Sequence, residues 1–152
     1  MGVFNNPELI IFGRLILAVI LGALIGIERE LLKKTAGIRT HALVSLGACL
    51  FTSISALAFK EFGGAIDPSR IPSNIVVGIG FLGAGVIIFH QSKLQGITTA
   101  AGLWVAGAIG MAVGFGFNLV AIFTTFLTLL VFTLLGRFEK GIEEKTIDLH
   151  GK

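Results

Sequence analysis

The chain alternates between long apolar segments and short polar segments. The apolar segments cover residues 9–27, 42–59, 71–89, 97–113 and 119–135. As α-helices rising 1.5 Å per residue, segments of about 17 to 20 residues are long enough to cross a hydrocarbon core of about 30 Å. The pattern therefore predicts an all-α, polytopic membrane helix bundle with about five transmembrane helices over residues 1–137. A charged tail over residues 138–152 is predicted to follow it.

The number of spans depends on the link between the last two segments. Residues 114–118 have the sequence Gly-Phe-Gly-Phe-Asn, which is typical of a tight turn. If the fourth and fifth segments instead formed a shallow hairpin, the chain would have four spans.

Lysine and arginine are distributed unevenly between the two sides of the predicted bundle. Only two, Lys60 and Arg70, fall on one side, and nine fall on the other: Arg29, Lys33, Lys34, Arg39, Lys93, Arg137, Lys140, Lys145 and Lys152. Because cytoplasmic loops carry the excess of basic residues, we predict an external N-terminus and a cytoplasmic C-terminus. This orientation requires an odd number of spans and favours five.

The composition agrees with a membrane protein. Hydrophobic residues make up 54% of the chain and charged residues only 14%, whereas about a quarter of a soluble domain is charged. The lipid bilayer is therefore the expected solvent.

The net charge of +3 is too small to suggest a nucleic-acid partner. Residues 1–8 lack a basic region and a small-residue cleavage site, so no cleavable signal peptide is expected. The single cysteine, Cys49, is expected to be a small buried apolar residue.

Small residues recur along one face of three predicted helices. The spacing is about four residues, which keeps them on one side of a helix. They are Ala18, Gly22 and Gly26 in the first segment, Gly80, Gly83 and Ala84 in the third, and Gly102, Ala106 and Gly110 in the fourth. Such faces let helix backbones approach closely in lipid. They predict either packing within one bundle or the interface of a homodimer or other homo-oligomer.

Arg14 is the clearest ionisable residue inside an apolar segment, and such residues are functional leads because burying a charge in lipid is unfavourable. Two interpretations stay open. Arg14 either extends to the outer membrane surface, or faces protein and pairs with Asp67, which lies on the same side beside Arg70. Ser69 is predicted to cap the third helix, with Pro72 in its first turn.

A second group of polar residues lies at the predicted cytoplasmic ends of the first two helices. It comprises Glu28, Arg29, Glu30, Arg39, Thr40 and His41. These residues could hold a cation, bind a phosphate-bearing partner or form ion pairs among themselves. The arginines would already neutralise the two carboxylates, so the group is a weak magnesium site and no metal ligands are assigned.

At the start of the fourth helix, Thr98 and Thr99 could cap the helix or present hydroxyls to a cavity. Trp104, in the middle of that helix, is expected to pack inside the bundle. The sequence contains no nucleophile–base arrangement, so we predict a protein that is not an enzyme and needs no cofactor.

Several blocks of sequence, in order, resemble the MgtC/SapB membrane protein family. The resemblance covers about residues 10–135. It is carried by Arg14-Leu15 and by residues 22–30 (GALIGIERE), 36–44 (AGIRTHALV), 67–71 (DPSRI), 78–85 (GIGFLGAG) and 96–101 (GITTAA), with Leu103-Trp104. Each block alone is weak, but together they are highly specific.

The resemblance implies a multi-pass protein of the bacterial inner membrane with a role in growth at low magnesium, and in survival inside macrophages for pathogens. It also implies regulation of a membrane complex such as the proton-translocating ATP synthase, rather than transport of magnesium. Longer family members add a cytosolic C-terminal domain, so the chain is expected to be a short member or a truncated form. A small ion or solute transporter is the alternative function.

Overall fold

The computed structural model describes residues 7–62, 67, 69–90 and 93–138. Within them the chain forms five α-helices and one β-hairpin: α1 (Pro7–Leu31), α2 (Ile38–Phe62), α3 (Arg70–Val86), β1 (Ile88–His90), β2 (Lys93–Gln95), α4 (Ile97–Phe115) and α5 (Asn118–Leu130). A π-helical turn, Val131–Leu135, continues α5. The predicted all-α membrane bundle is confirmed. Of the predicted tail over residues 138–152, residues 139–152 lie outside the described part of the chain.

Four of the helices are long and apolar enough to cross a membrane, namely α1, α2, α4 and α5 with its extension to Phe138. The fourth and fifth segments are therefore full-length helices, and they do not form the shallow hairpin of the four-span alternative. The third is the short one, with 17 residues. Its predicted end at residue 89 is wrong, because the helix stops at Val86 and Ile88–His90 pairs with Lys93–Gln95 instead. We call the end of the bundle with Leu31, Ile38 and Ile97 the inner end, and the opposite end the outer end.

The link between α1 and α2 is a tight C-terminal cap at the inner end. The Lys34 N–H donates to Arg29 O over 3.0 Å, and the Lys33 N–H donates to Glu30 O over 2.9 Å. This pair of bonds defines a Schellman motif, in which the residue after the cap adopts a left-handed conformation. That residue is Lys33, with φ of 52°. A lysine at this position is unusual because a residue with a side chain is strained in the left-handed conformation.

The turn between α4 and α5 uses the same motif with a glycine. Gly116 has φ of 90°, and the Phe117 N–H donates to Ala112 O over 2.8 Å. Glycine adopts this conformation without strain. The predicted tight turn at residues 114–118 is confirmed.

Helix α4 is the central element and contacts α1, α2, α3 and α5. The buried core combines side chains of α1, α2, α4 and α5: Ala18, Leu21, Ile25, Cys49, Ile109, Val113 and Ala121. Burial of Cys49 is confirmed. Trp104 is on the outside of α4 and 50% exposed, so its predicted place inside the bundle is wrong. In lipid an apolar side chain gains little by turning inward.

The glycines of α1 pack against α2 of the same chain. A Cβ on Gly22 would lie 2.6 Å from His41 O, and one on Gly26 would lie 2.5 Å from Ile38 Cα. No side chain fits in that space. Of the two roles predicted for this face, the structure selects packing within the bundle, because Gly22 and Gly26 are already covered by α2.

The small residues of α4 also pack against α2. Gly102, Ala106 and Gly110 are buried, and a Cβ on Gly110 would overlap the backbone of Ser45. Helices α1 and α4 therefore both approach α2 closely through glycine-rich faces. This close packing brings the polar face of α2 into the centre of the bundle.

Candidate functional site

The main polar site is at the inner end, where α1, α2, α4 and the π-helical turn meet. We call it the inner cluster and define it by Glu28, Arg29, His41, Gly102 and Phe132. The sequence placed the first three near one another. It missed Phe132, whose position depends on the π-helical turn.

Arg29 is the charged centre of the inner cluster. Its residue is only 3% exposed. The guanidinium makes two bonds to the Glu28 carboxylate, one from Nε to Oε2 and one from Nη2 to Oε1 at 2.6 Å. A bidentate pair of this kind satisfies both charges locally. Glu28 is therefore committed to Arg29, and ion pairing is the interpretation that the structure supports for these two residues.

The aromatic ring of Phe132 covers the other surface of Arg29. The guanidinium carbon lies 3.7 Å from the ring centroid, which is within the range of a cation–π interaction. The π-helical turn that carries Phe132 has an irregular backbone of a kind that is common at functional sites. Sequence periodicity gives no signal for such a turn.

His41 lies on α2 beside this pair and is fully buried. Its Nδ1 is 3.0 Å from Gly37 O. Because a carbonyl only accepts hydrogen bonds, Nδ1 must carry the proton, which leaves Nε2 with a free lone pair in the neutral ring. Nε2 points towards α4, where a Cβ on Gly102 would lie 3.3 Å from it.

Glu30 has a separate structural role. Its Oε2 accepts a hydrogen bond of 3.2 Å from the N–H of Ile38, the first residue of α2. A carboxylate at this position stabilises a helix N-terminus. A Cβ on Gly37 would overlap the Glu30 carboxylate, which would then have to move from its present position.

The remaining predicted residues of the inner end divide by exposure. Arg39, Thr40 and Thr98 are exposed, and Thr99 is 2% exposed. The predicted capping role of the threonines is wrong, because Gly96 is the cap residue of α4 and no side chain bonds there. Thr99 instead lies in the interior, close to the level of Gly102.

Arg14 lies near the outer end and faces the protein. Its Nη1 donates a hydrogen bond of 2.8 Å to Gly114 O at the end of α4. The proposed pairing with Asp67 is replaced by this contact. The last carbonyls of a helix are unsatisfied and carry partial negative charge, so they attract a cation. Ser53 Oγ donates to the same oxygen over 3.4 Å.

Asp67 instead bonds within its own loop. Its Oδ1 accepts hydrogen bonds from the Ser69 N–H at 2.9 Å and the Ser69 hydroxyl at 2.7 Å. These bonds, the hydroxyl first, hold the pKa of Asp67 below its ordinary value, with a smaller contribution from Arg70. Ser69 does occupy the cap position of α3, and Pro72 does fall in the first turn. The Ser69 side chain caps no N–H of the helix, however, because it bonds to Asp67.

Across the described ranges, no group of three or more His, Cys, Asp or Glu side chains is arranged to hold a metal ion.

Helix α3 presents a second feature of interest, on the outside of the bundle. Pro72, Ile79 and Gly83 of α3 are buried; a Cβ on Gly83 would make an ordinary contact of 3.5 Å with Ala100 of α4. Ser73, Val77, Gly80 and Ala84 are exposed and share another face of the helix. We call these four residues the open face. A Cβ on Gly80 would meet no atom of the described chain within 4 Å.

An apolar groove of about 440 Å³ lies between α2 and α3, beside the open face. Its walls include Gly47 and Phe51 of α2 and Gly78 and Leu82 of α3. Of the small residues assigned to a packing or dimer face, Gly80 and Ala84 are therefore left uncovered by the described residues. A role for them in contacts between molecules stays a prediction.

Known proteins with similar sequences give a consistent identification. The chain is 36% identical to a protein of undefined function from Haemophilus influenzae, over 94% of this chain and 63% of that protein. It is 43% identical to the Escherichia coli K12 protein named "Putative magnesium transporter YhiD", over 78% of this chain and 57% of that one. It is 39% identical to "Protein MgtC" of Salmonella typhimurium strain LT2, over 91% of this chain and 58% of that protein.

The chain thus spans about 60% of the length of these curated relatives. No solved structure matches it. The model of the MgtC family matches residues 15–141, which is most of the chain. With its apolar helices, this places the protein in the bacterial inner membrane as a multi-pass protein. The chain belongs to the MgtC family.

Proposed function

We propose that this protein is a non-enzymatic membrane protein of magnesium homeostasis, which acts by packing the open face of α3 against a transmembrane helix of a larger membrane complex. The link to magnesium rests on the relatives, of which one is named as a magnesium transporter and others are named MgtC. The contact itself rests on one observation, the exposure of Gly80 and Ala84 on α3.

The physical case for a helix contact starts from the solvent. Lipid tails are as apolar as the side chains, so helices associate in a bilayer only where their surfaces fit closely. Glycine inside a helix is about 1 kcal/mol less favourable than alanine. A glycine facing lipid therefore gains nothing for the isolated chain, whereas a second helix could approach it closely.

A non-enzymatic role is supported by the contacts of the polar side chains. Glu28 is paired with Arg29, Glu30 caps α2, and Arg14 binds the end of α4. Each of these groups stabilises the bundle in a defined geometry. They are therefore occupied in structural contacts, and we assign the contact with a partner to the open face instead.

The family resemblance implies that the complex is the proton-translocating ATP synthase, and we propose it as the partner. The experiment compares wild-type protein with Gly80→Leu and, as a matched control, Gly13→Leu. Both glycines are exposed in apolar helices, and a Cβ on Gly13 also meets no described atom within 4 Å. The two variants should fold equally well.

Wild type and Gly13→Leu should co-purify with subunits of the ATP synthase from gently solubilised membranes, and Gly80→Leu should not. ATP-driven proton pumping by membrane vesicles should be lower with wild type than with Gly80→Leu. Equal co-purification of all three proteins would refute the contact. A cross-link at position 80 to a second copy alone would assign the open face to a homo-oligomer and refute the proposed complex.

Transport is the second candidate, and the printed name of the Escherichia coli relative favours it. It predicts magnesium flux into proteoliposomes that is lost on Arg14→Ala. Flux equal to that of empty liposomes supports the contact function, and saturable flux above that level would favour the transporter.

A further inference from the structure

Three buried polar atoms of α2 have no hydrogen-bond partner among the described residues: His41 Nε2, Ser45 Oγ and Thr52 Oγ1. All three side chains are fully buried. Inside a bilayer, bulk water cannot reach such groups, so a partner must come from within the protein. An unpaired polar group in this setting is strongly unfavourable.

The three residues share one face of α2. With Cys49 they are spaced by four, four and three residues, which keeps them in line along a helix. From His41 to Thr52 the line covers about 16 Å at 1.5 Å per residue. We call His41, Ser45, Cys49 and Thr52 the α2 seam. The apolar groove is lined by other residues of α2, among them Val44, Ala48 and Phe51, and is a separate feature.

Three threonines of α5 and its π-helical turn are satisfied by their own helix. Thr125, Thr128 and Thr133 each donate to the carbonyl four residues earlier, at 2.7 to 2.9 Å. This is the usual solution for threonine in a membrane helix. Ser45 and Thr52 do not make this bond, so their buried hydroxyls have no partner among the described residues.

His41 specifies what kind of partner is needed. Its Nδ1–H is used by Gly37 O, so Nε2 presents a lone pair and requires a donor. A Cβ on Gly102 would lie 3.3 Å from Nε2 and 2.9 Å from Phe132 Cζ. A side chain at position 102 would therefore press against both Nε2 and the Phe132 ring.

We propose that the α2 seam binds internal water molecules. One water donates to His41 Nε2, and others bond to Ser45 and Thr52. Water is the ligand that fits, since it donates to the imidazole and both donates to and accepts from the hydroxyls. Buried water of this kind commonly makes about three hydrogen bonds to otherwise unpaired groups. The proposal is independent of the function of the open face.

The first test uses Cys49 as a native reporter inside the seam. The protein is transferred to heavy water in lipid, and conversion of its S–H stretching band to S–D is followed by infrared spectroscopy. The control is Val113→Cys in a Cys49→Ala background, since Val113 is equally buried in the apolar core and similar in size to cysteine. Conversion at Cys49 should be about tenfold faster than at position 113. Equal rates at the two positions would overturn the proposal.

The second test observes His41 directly. In a His90→Gln, His150→Gln background, solid-state NMR measures transfer of magnetisation from water to the single imidazole. Transfer to an unprotonated Nε2 is expected. Gly102→Ala should remove it, because the added methyl group would lie 3.3 Å from Nε2 and obstruct the approach of a water. Gly83→Ala, which adds a methyl group at ordinary contact distance from Ala100, should preserve it. Absence of transfer in the parent protein, or its persistence in Gly102→Ala, would refute a water at Nε2.

Discussion

The Arg29 guanidinium is held between the Glu28 carboxylate and the Phe132 ring, with its carbon 3.7 Å from the ring centroid. This relationship ties the end of α1 to the end of α5 through the π-helical turn. It explains how an arginine that is only 3% exposed is accommodated at the inner end. The Glu28 carboxylate balances the positive charge of the guanidinium, and the Phe132 ring covers one of its faces.

The contact predicts a measurable coupling between Arg29 and Phe132. Arg29→Lys keeps the charge but loses the flat, bidentate group, and Phe132→Leu keeps the apolar volume but loses the ring. In a double-mutant cycle of unfolding in mixed detergent, we expect a coupling free energy of about 0.5 to 2 kcal/mol. The same cycle with Phe126→Leu, an exposed ring on α5, is the control. A coupling free energy of zero between Arg29 and Phe132 would show that the ring does not stabilise the arginine.

Substitution of the glycines in α1 is expected to destabilise the single chain. Gly22→Leu or Gly26→Leu would force α1 away from α2, at a cost of at least about 1 to 3 kcal/mol in the free energy of unfolding. Circular dichroism during denaturation should detect this, while Gly13→Leu should have little effect. If Gly22→Leu left stability unchanged and altered only self-association, the glycine face of α1 would lie between molecules.

Lys33 offers the opposite kind of test. Its left-handed conformation at the end of α1 strains a side chain. Lys33→Gly should therefore raise the free energy of unfolding by about 1 kcal/mol. Lys34→Gly, one residue further along, has no such strain to relieve, and serves as the control. A loss of stability in Lys33→Gly would contradict the observed cap.

Arg14 and Asp67 should behave as independent residues. Arg14 bonds to Gly114 O and Asp67 bonds to Ser69, so the effects of Arg14→Met and Asp67→Asn on unfolding should add to within about 0.5 kcal/mol. Strong coupling between them would restore the direct ion pair that the sequence suggested.

The sequence predicted the bundle well because the bilayer imposes a simple rule. Apolar length alone located the helices, and glycine at 116 marked the last turn. The short α3 was overestimated, because Ile88 and Phe89 are as apolar as a helix end although they form a strand. Hydropathy cannot distinguish the two.

The partners of the polar residues could be predicted only in part. Glu28 and Arg29 are neighbours in sequence, so their pairing could be predicted from the sequence alone. The partner of Arg14 is a backbone carbonyl 100 residues away. Because every residue has a carbonyl, the sequence gives no signal for this one. Likewise, the small-residue stripes of α1 and α3 look alike in sequence, although α2 covers Gly22 and Gly26 whereas Gly80 and Ala84 are exposed. Only the packing of the helices separates them.

The open face of α3 is tested most directly by growth at low magnesium. A strain that depends on this protein would carry wild type, Gly80→Leu or Gly13→Leu at equal levels in the membrane. We expect wild type and Gly13→Leu to support growth and Gly80→Leu to fail, although its fold is intact. Full growth with Gly80→Leu would contradict the proposal that this face carries the function.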